Sequence, residues 1–173
     1  MFESELIILR PLRGSDLEQL IKLHNDSGVK TMAAMHQFPV SPELEQQWLD
    51  AIIMDKSNSK AYFGIESREK GLLAGICFLQ NINWVDRTCW FGISLLPEFQ
   101  GKGYGKSALG MLLDFGFNKL NLLKISLYVL AVNSAAIKIY EKAGFEVEGT
   151  LKQHCVVDGQ RSDLLIMSRF RER

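Results

Sequence analysis

A glycine cluster between a strand-like run and a helix-like run constrains this chain more than any other feature. The cluster consists of Gln100-Gly101-Lys102-Gly103-Tyr104-Gly105-Lys106-Ser107. Alternate glycines let a backbone approach a ligand closely, and the first N–H groups of a helix have no intrahelical partner. The helix dipole makes that end positive, and Lys102 and Lys106 add further positive charge unless they are simply solvated. The cluster therefore predicts a binding loop for a phosphate or pyrophosphate.

Two familiar phosphate loops do not fit the cluster. The pattern G-x-x-x-x-G-K-[ST] finds its end in Gly105-Lys106-Ser107, but Gln100 stands where its first glycine belongs. The dinucleotide pattern G-x-G-x-x-G would need a glycine at Lys106. Both patterns also normally follow the first strand of their unit, whereas this cluster follows the fourth predicted strand.

The surrounding elements alternate between strand and helix. We predict strands over 6–12, 61–66, 72–79, 88–96, 124–130 and 145–151, and a final hairpin over 154–170 that turns at Asp158-Gly159. Helices are predicted to begin near Ser15 and Ser41, after the glycine cluster, and at Ser134. The order β-α-α-β-β-β-α-β-α-β-β predicts one α/β domain over residues 1–173, with an antiparallel front half and a βαβ crossover behind it.

Composition excludes several classes of protein. Twenty basic and twenty acidic residues give no net charge, which argues against nucleic acid as the main partner. Cys77, Cys89 and Cys155 have no metal-ligand spacing, so we expect reduced thiols and no metal. The acidic residues after Met1, and the lack of an apolar run of about 18 residues, predict neither a signal peptide nor a membrane partner. We therefore expect a cytoplasmic protein.

Two stretches carry a resemblance to a known family. Residues 100–105 match Q/R-x-x-G-x-G/A, and residues 133–145 match N-x-x-A-x-x-x-Y-x-x-x-G-F. In these motifs and in its order of elements, essentially the whole chain resembles the GNAT superfamily of N-acetyltransferases. With Gly149, Asp158-Gly159 and Asp163 it looks most like the branch of ribosomal-protein alanine, polyamine and amino-sugar acetyltransferases.

The resemblance implies a fold and a co-substrate. The fold is a central mixed, mostly antiparallel sheet with a splayed parallel strand pair and flanking helices. Acetyl-CoA would be the co-substrate, with its pantetheine arm along the main chain of Ile93 and Leu95 and its pyrophosphate on the backbone of Gln100 to Lys106. An N–H near Leu95 would polarise the thioester carbonyl and hold the oxyanion. Because only their main chain would contact acetyl-CoA, Ile93 and Leu95 would also be ordinary buried strand residues.

The resemblance also assigns two side chains. Asn133 would bond the pantetheine chain, although it could instead cap the following helix, a role that Ser134 could also fill. Tyr140 would be the general acid that protonates the CoA thiolate, although a tyrosine at helical spacing is more often a core residue. The two residues lie seven positions apart, on nearly the same helical face.

The resemblance does not supply a general base. Many relatives carry a glutamate in the strand before the loop, and Trp90 stands in that place here. His36, Glu98 and His154 are weak candidates that are more often surface or packing residues. A water chain could do the same work, so no base is assigned.

The acceptor amine is the least constrained element. The segment 31–40 (TMAAMHQFPV) contains no acidic residue. A polyamine carries several positive charges, so a polyamine site is expected to have carboxylates that bind them. A pocket from Met32, Met35, His36 and Phe38 would suit an amino sugar or a peptide N-terminus, unless these residues belong to the core. Asp163 and Asp158 could orient a cationic amine, although a turn role suits Asp158 better.

Two alternatives to this interpretation stay open, together with the question of a homodimer. The acceptor could be a polyamine of the spermidine type instead of an amino sugar or peptide N-terminus. The chain could also be a non-catalytic acyl-CoA-binding module that keeps the glycine loop. Edge pairing through the last strand is a route to a homodimer.

Overall fold

The structure, a computed structural model, describes residues 2–33 and 37–171. Its strands are β1 (Phe2–Glu3), β2 (Ile7–Arg10), β3 (Ala61–Ser67), β4 (Leu73–Asn83), β5 (Thr88–Leu95), β6 (Lys124–Leu130), β7 (Glu146–Val157) and β8 (Gln160–Phe170). Its α-helices are α1 (Leu17–Asn25), α2 (Ser27–Met32), α3 (Pro42–Ile53), α4 (Tyr104–Asp114) and α5 (Ser134–Lys142). Single turns of 3₁₀-helix precede α1 and α4, and a π-helical turn, Phe115–Lys119, extends α4.

All the strands form one sheet in the order β1-β2-β3-β4-β5-β6-β8-β7. Neighbours are antiparallel except β5 and β6, which run parallel and pair only from Thr88↔Lys124 to Trp90↔Ser126. Beyond that point the two strands are not paired with each other. The predicted mixed sheet with a splayed parallel pair is therefore confirmed, with the short β1 and α2 as additions.

Helices cover both sides of the sheet. On one side Phe115 packs edge-on against Phe2 and Phe63, with ring centroids 5.4 and 5.5 Å away. We call this the α4 side. On the other, the α3 side, Trp48 of α3 packs against Tyr62 at 5.8 Å. The central strands β4 and β6 are therefore buried between two helical layers, as their apolar runs predict, whereas β7 is largely exposed. No helix within the described ranges is long and apolar enough to cross a membrane.

Local chemistry explains where the first helices begin. The Ser41 hydroxyl accepts the Leu44 N–H at 3.2 Å, with Pro42 in the first turn, so the predicted start of α3 is confirmed. The predicted capping by Ser15 is wrong. The Asp16 carboxylate accepts the Arg13 N–H at 2.8 Å and takes two 2.8 Å bonds from the buried Arg10 guanidinium. A buried arginine fixes this turn, so α1 begins two residues later than Ser15.

The C-terminal strands differ from the prediction in one respect. Residues 145–151 and 154–157 belong mostly to one strand, β7, whose register with β8 shifts at Val147/Gly149 and Leu151/Cys155. The predicted hairpin turn is confirmed, because Asp158 and Gly159 have φ of 50° and 78°. β8 lies between β6 and β7. The last strand is therefore not an edge, and the predicted dimer route through it is wrong.

Candidate active site

The fork between β5 and β6 presents β5 backbone that β6 does not pair with, at the positions that the resemblance implies. The N–H of Leu96 donates to Ala74 of β4 at 2.9 Å. Alternate residues of an antiparallel strand direct their backbone groups to the same neighbour, so Ile93 and Leu95 direct theirs away from β4 and into the fork. No strand within the described ranges pairs with β5 there. Both predicted main-chain positions therefore lie at the opening.

The glycine loop has the backbone conformation of an anion site. Gly101 and Gly103 have φ of 70° and 86°, a region that strains residues with a side chain. The N–H groups of Tyr104, Gly105 and Lys106 lie in the first turn of α4 and have no intrahelical partner. Gly103 precedes them and has no side chain that could cap them. These donors and the positive end of α4 fit a pyrophosphate.

Two side chains of the loop face the protein instead of a ligand. The Tyr104 ring is buried against Phe99 at 5.4 Å, and its hydroxyl lies 2.8 Å from the Ser67 hydroxyl. The Gln100 amide donates to the Leu95 carbonyl at 2.9 Å and ties the loop to the end of β5. In the structure these side chains shape the loop, which leaves the backbone for binding.

The first turn of α4 lies directly on the end of β5. A Cβ at Gly105 would be 3.6 Å from Leu95 Cδ1 and 3.9 Å from Ile93 Cδ1, which is ordinary contact. Lys102 and Lys106 are exposed and form no ion pair within the described ranges. Their charges are therefore available to an anion at the loop.

Asn133 caps α5 in this structure. Its side-chain oxygen accepts the Ala136 N–H at 3.2 Å, as the alternative interpretation of this residue predicts. Ser134 is therefore not needed as the cap. The Nδ2 group remains as the donor that Asn133 can offer to a ligand.

Tyr140 lies at the origin of the fork. Its ring meets Phe91 edge-on at 6.2 Å and Phe145 at 5.8 Å, and Phe91 follows the last β5 residue that pairs with β6. Desolvation by burial raises the pKa of Tyr140 to about 12. The hydroxyl has no hydrogen-bond partner within residues 2–33 and 37–171. Tyr140 thus offers a protonated donor that no protein group occupies.

The candidate bases do not gather at the fork. Trp90 stacks on Tyr128, with ring centroids 4.3 Å apart and an interplanar angle of 7°. Glu98 and His154 are exposed, and His36 lies outside the described residues. The sequence alone gave no indication of the stack, although alternate residues on neighbouring parallel strands share a face. Across the described ranges, no three His, Cys, Asp or Glu side chains converge as a metal site.

The described residues suggested for the acceptor site are either exposed or engaged in other contacts. Met32 and Phe38 are 44% and 78% exposed, so they are not core residues, and Met35 lies outside the described residues. Asp163 accepts the Gln153 N–H at 2.7 Å and holds the irregular part of β7. Asp158 occupies the hairpin turn, as its preferred interpretation predicts.

Comparisons with known proteins agree with this geometry. The model of the family described as "Acetyltransferase (GNAT) domain" matches residues 7–146. Spermidine N(1)-acetyltransferase of Vibrio cholerae is 32% identical over 91% of this chain and 89% of its own length. The Escherichia coli enzyme of the same name is 36% identical, over 94% of this chain and 84% of its own.

The similarity extends to solved structures. The crystal structure of Vibrio cholerae spermidine N-acetyltransferase in complex with CoA and spermine aligns with a TM-score of 0.87 and 29% identity, covering 96% of both chains. The predicted fold, enzyme class and acetyl-CoA co-substrate are therefore confirmed. The chain belongs to the GNAT family, and it is an N-acetyltransferase that uses acetyl-CoA.

Proposed function

We propose that this enzyme acetylates a primary amino group of a linear polyamine of the spermidine type. The observation that carries the proposal is the identity of 32–36% to two spermidine N(1)-acetyltransferases over more than nine-tenths of the chain. The comparisons favour this acceptor over the amino sugar or peptide N-terminus. The lack of acidic residues concerns only segment 31–40, whereas the likeness extends over more than nine-tenths of the chain.

In this proposal the loop and the fork hold acetyl-CoA. The N–H groups at the start of α4 bind the pyrophosphate, with Lys102 and Lys106 as additional charges. The backbone of Ile93 and Leu95 bonds the pantetheine arm, and the Leu95 N–H polarises the thioester carbonyl. Asn133 Nδ2 donates to the same arm while its oxygen caps α5.

Tyr140 acts on the leaving sulfur. A thiol has a pKa of about 8.5, whereas the pKa of the Tyr140 phenol is raised to about 12. At a pH between these two values the thiol is ionised and Tyr140 is still protonated. Full proton transfer from such a phenol to the thiolate is uphill. Tyr140 therefore stabilises the departing sulfur mainly by donating a hydrogen bond as the C–S bond breaks, and transfers its proton late.

The amine loses its proton to water. An alkylammonium has a pKa of about 10, so a fraction of the amine is neutral near pH 8 without any side-chain base. The neutral amine attacks the thioester carbon directly, while both substrates are bound. The attacking nitrogen then loses its second proton to water as the C–S bond breaks, CoA leaves as the thiol, and Tyr140 regains its proton from water.

A thiol-release assay over an amine panel tests the proposal. The panel contains spermidine, spermine, glucosamine and peptides that begin with Ala or Ser, each with acetyl-CoA. We expect kcat/KM for the polyamines to exceed that for every other amine at least about ten-fold, since each 1.4 kcal/mol of differential binding gives a factor of ten. Preference for glucosamine or a peptide overturns the acceptor. Tight CoA binding without turnover of any amine indicates the non-catalytic module.

A further inference from the structure

Two aromatic rings, those of Trp90 and Tyr128, lie at the origin of the fork. Trp90 is the last β5 residue that pairs with β6, opposite Ser126, and Tyr128 lies two residues further along β6. The parallel stack at 4.3 Å uses one side of each ring. Tyr128 nevertheless remains 50% exposed, so the pair is not sealed into the core.

The pair lies on the side of the sheet opposite Tyr140. Neighbouring residues of a strand point to opposite faces, and Phe91 meets Tyr140 and α5. Trp90 therefore points to the opposite face, as does Tyr128, which shares its stack. This face is the α3 side, because Gly92 points the same way as Trp90 and lies against Phe78, whose ring stacks on Tyr62 at 4.6 Å. The Phe78 ring extends this surface, because a Cβ at Gly92 would come within 2.1 Å of Phe78 Cζ. The α3 side of the fork is thus lined by rings, while Tyr140 approaches from the α4 side.

Glu148, the carboxylate next to Lys124 at the start of β6, is already engaged. Ser126 and Ser168 share a hydrogen bond of 2.8 Å, and Ser168 donates to Glu148. Glu148 also forms an ion pair with Lys124 at 2.6 Å. At this place a cationic amine would meet the π faces of Trp90 and Tyr128, while the Glu148 carboxylate is already paired with Lys124.

We propose that Trp90 and Tyr128 form the specificity surface for the acceptor. They pack against the carbon chain of a linear polyamine and hold its distal ammonium group by cation–π attraction, while the neutral terminal amine attacks. An ammonium over an indole or phenol ring is attracted by the ring quadrupole, most strongly where water is displaced. This inference rests on the proposed function, and it explains how a polyamine could be selected without acidic residues in segment 31–40.

The test compares spermidine with an isosteric analogue in which the distal terminal amino group is a methyl group. We expect the wild type to prefer spermidine and Trp90→Leu to lower kcat/KM for spermidine about 3- to 30-fold, mainly through KM. The preference over the analogue should fall toward one, and CoA affinity should stay unchanged. Trp90→Phe should restore part of the preference. Tyr128→Leu, at a half-exposed position, repeats the test if Trp90→Leu does not fold.

Trp84→Leu is the matched control. Trp84 is 49% exposed in the turn between β4 and β5, at the paired end of the fork. It should keep the full preference, and spermidine added to the CoA complex should change tryptophan emission in this control but not in Trp90→Leu. An unchanged preference in folded Trp90→Leu and Tyr128→Leu overturns the inference alone. A wild type that acetylates no polyamine overturns the proposed function itself.

Discussion

Replacing Tyr140 by phenylalanine isolates one hydroxyl. The Phe91 and Phe145 contacts involve the ring, so the variant keeps its packing and loses only the donor. A hydrogen bond to a charged group contributes about 1.5–3 kcal/mol, and each 1.36 kcal/mol is a factor of ten in rate. We therefore expect kcat to fall about 10- to 150-fold, while the KM for acetyl-CoA changes less than about two-fold, because ground-state binding does not use the donor.

The pH dependence gives a second readout of the same hydroxyl. Burial raises the pKa of Tyr140 to about 12, so the donor form is present below that pH and is lost only above it. In the wild type, kcat should rise with deprotonation of the amine and show no decline below about pH 11. A declining limb near pH 8 or 9 that disappears in Tyr140→Phe would contradict the raised pKa.

Tyr62→Phe is the control for this measurement. Tyr62 lies on the α3 side, and its hydroxyl donates to Gln80 at 3.1 Å. Its loss should cost about 1 kcal/mol of unfolding free energy and leave kcat unchanged. Rates are measured by thiol release at saturating acetyl-CoA and spermidine, with unfolding in urea as the check on folding. A Tyr140→Phe enzyme with at least one-third of the wild-type kcat would refute the role of Tyr140.

Three further predictions concern the glycine loop, the Arg10–Asp16 ion pair and the thiols. Gly103→Ala should lose about 1–2 kcal/mol of stability and weaken CoA binding in calorimetry, because φ at this position is 86°. Gly110 lies in open space on α4, so the control Gly110→Ala should gain about 0.5–1 kcal/mol of stability and bind CoA normally. Asp16→Ala should lower the urea unfolding free energy by about 3 kcal/mol, because it leaves the Arg10 charge without its bidentate partner, and unchanged stability would contradict this. Of the three thiols, Cys155 alone should react with Ellman's reagent in the native protein, because the other two are buried with raised pKa values; a second fast thiol would refute that burial.

Strong periodic runs and turn residues made most of the fold predictable. The limits of β6 and β8 match the prediction, and Ser41 with Pro42 marks α3, because capping chemistry is local. α2 was missed, since its one clear marker is Asp26, whose side chain accepts the Val29 N–H at 2.8 Å. The start of α1 depends on the ion pair between Arg10 and Asp16. This contact depends on tertiary structure, so the local sequence pattern does not predict it.

Some features of the candidate site were predictable from the sequence, and others were not. The backbone conformation of the loop was predictable because positive φ favours glycine, as at Gly101 and Gly103. The side-chain contacts of Gln100 and Tyr104 were not, because their partners Leu95 and Ser67 are fixed by the strand register. The stack of Trp90 on Tyr128 likewise follows from the parallel alignment of β5 and β6.

Mass spectrometry of spermidine incubated with enzyme and acetyl-CoA tests the central claim most directly. The expected product is one acetyl group heavier than spermidine and forms together with an equal amount of free CoA. The acetyl group should be on a terminal nitrogen, because the account places a primary amine at the fork. Release of CoA without acetylated spermidine, or acetylation confined to non-polyamine acceptors, would contradict the account.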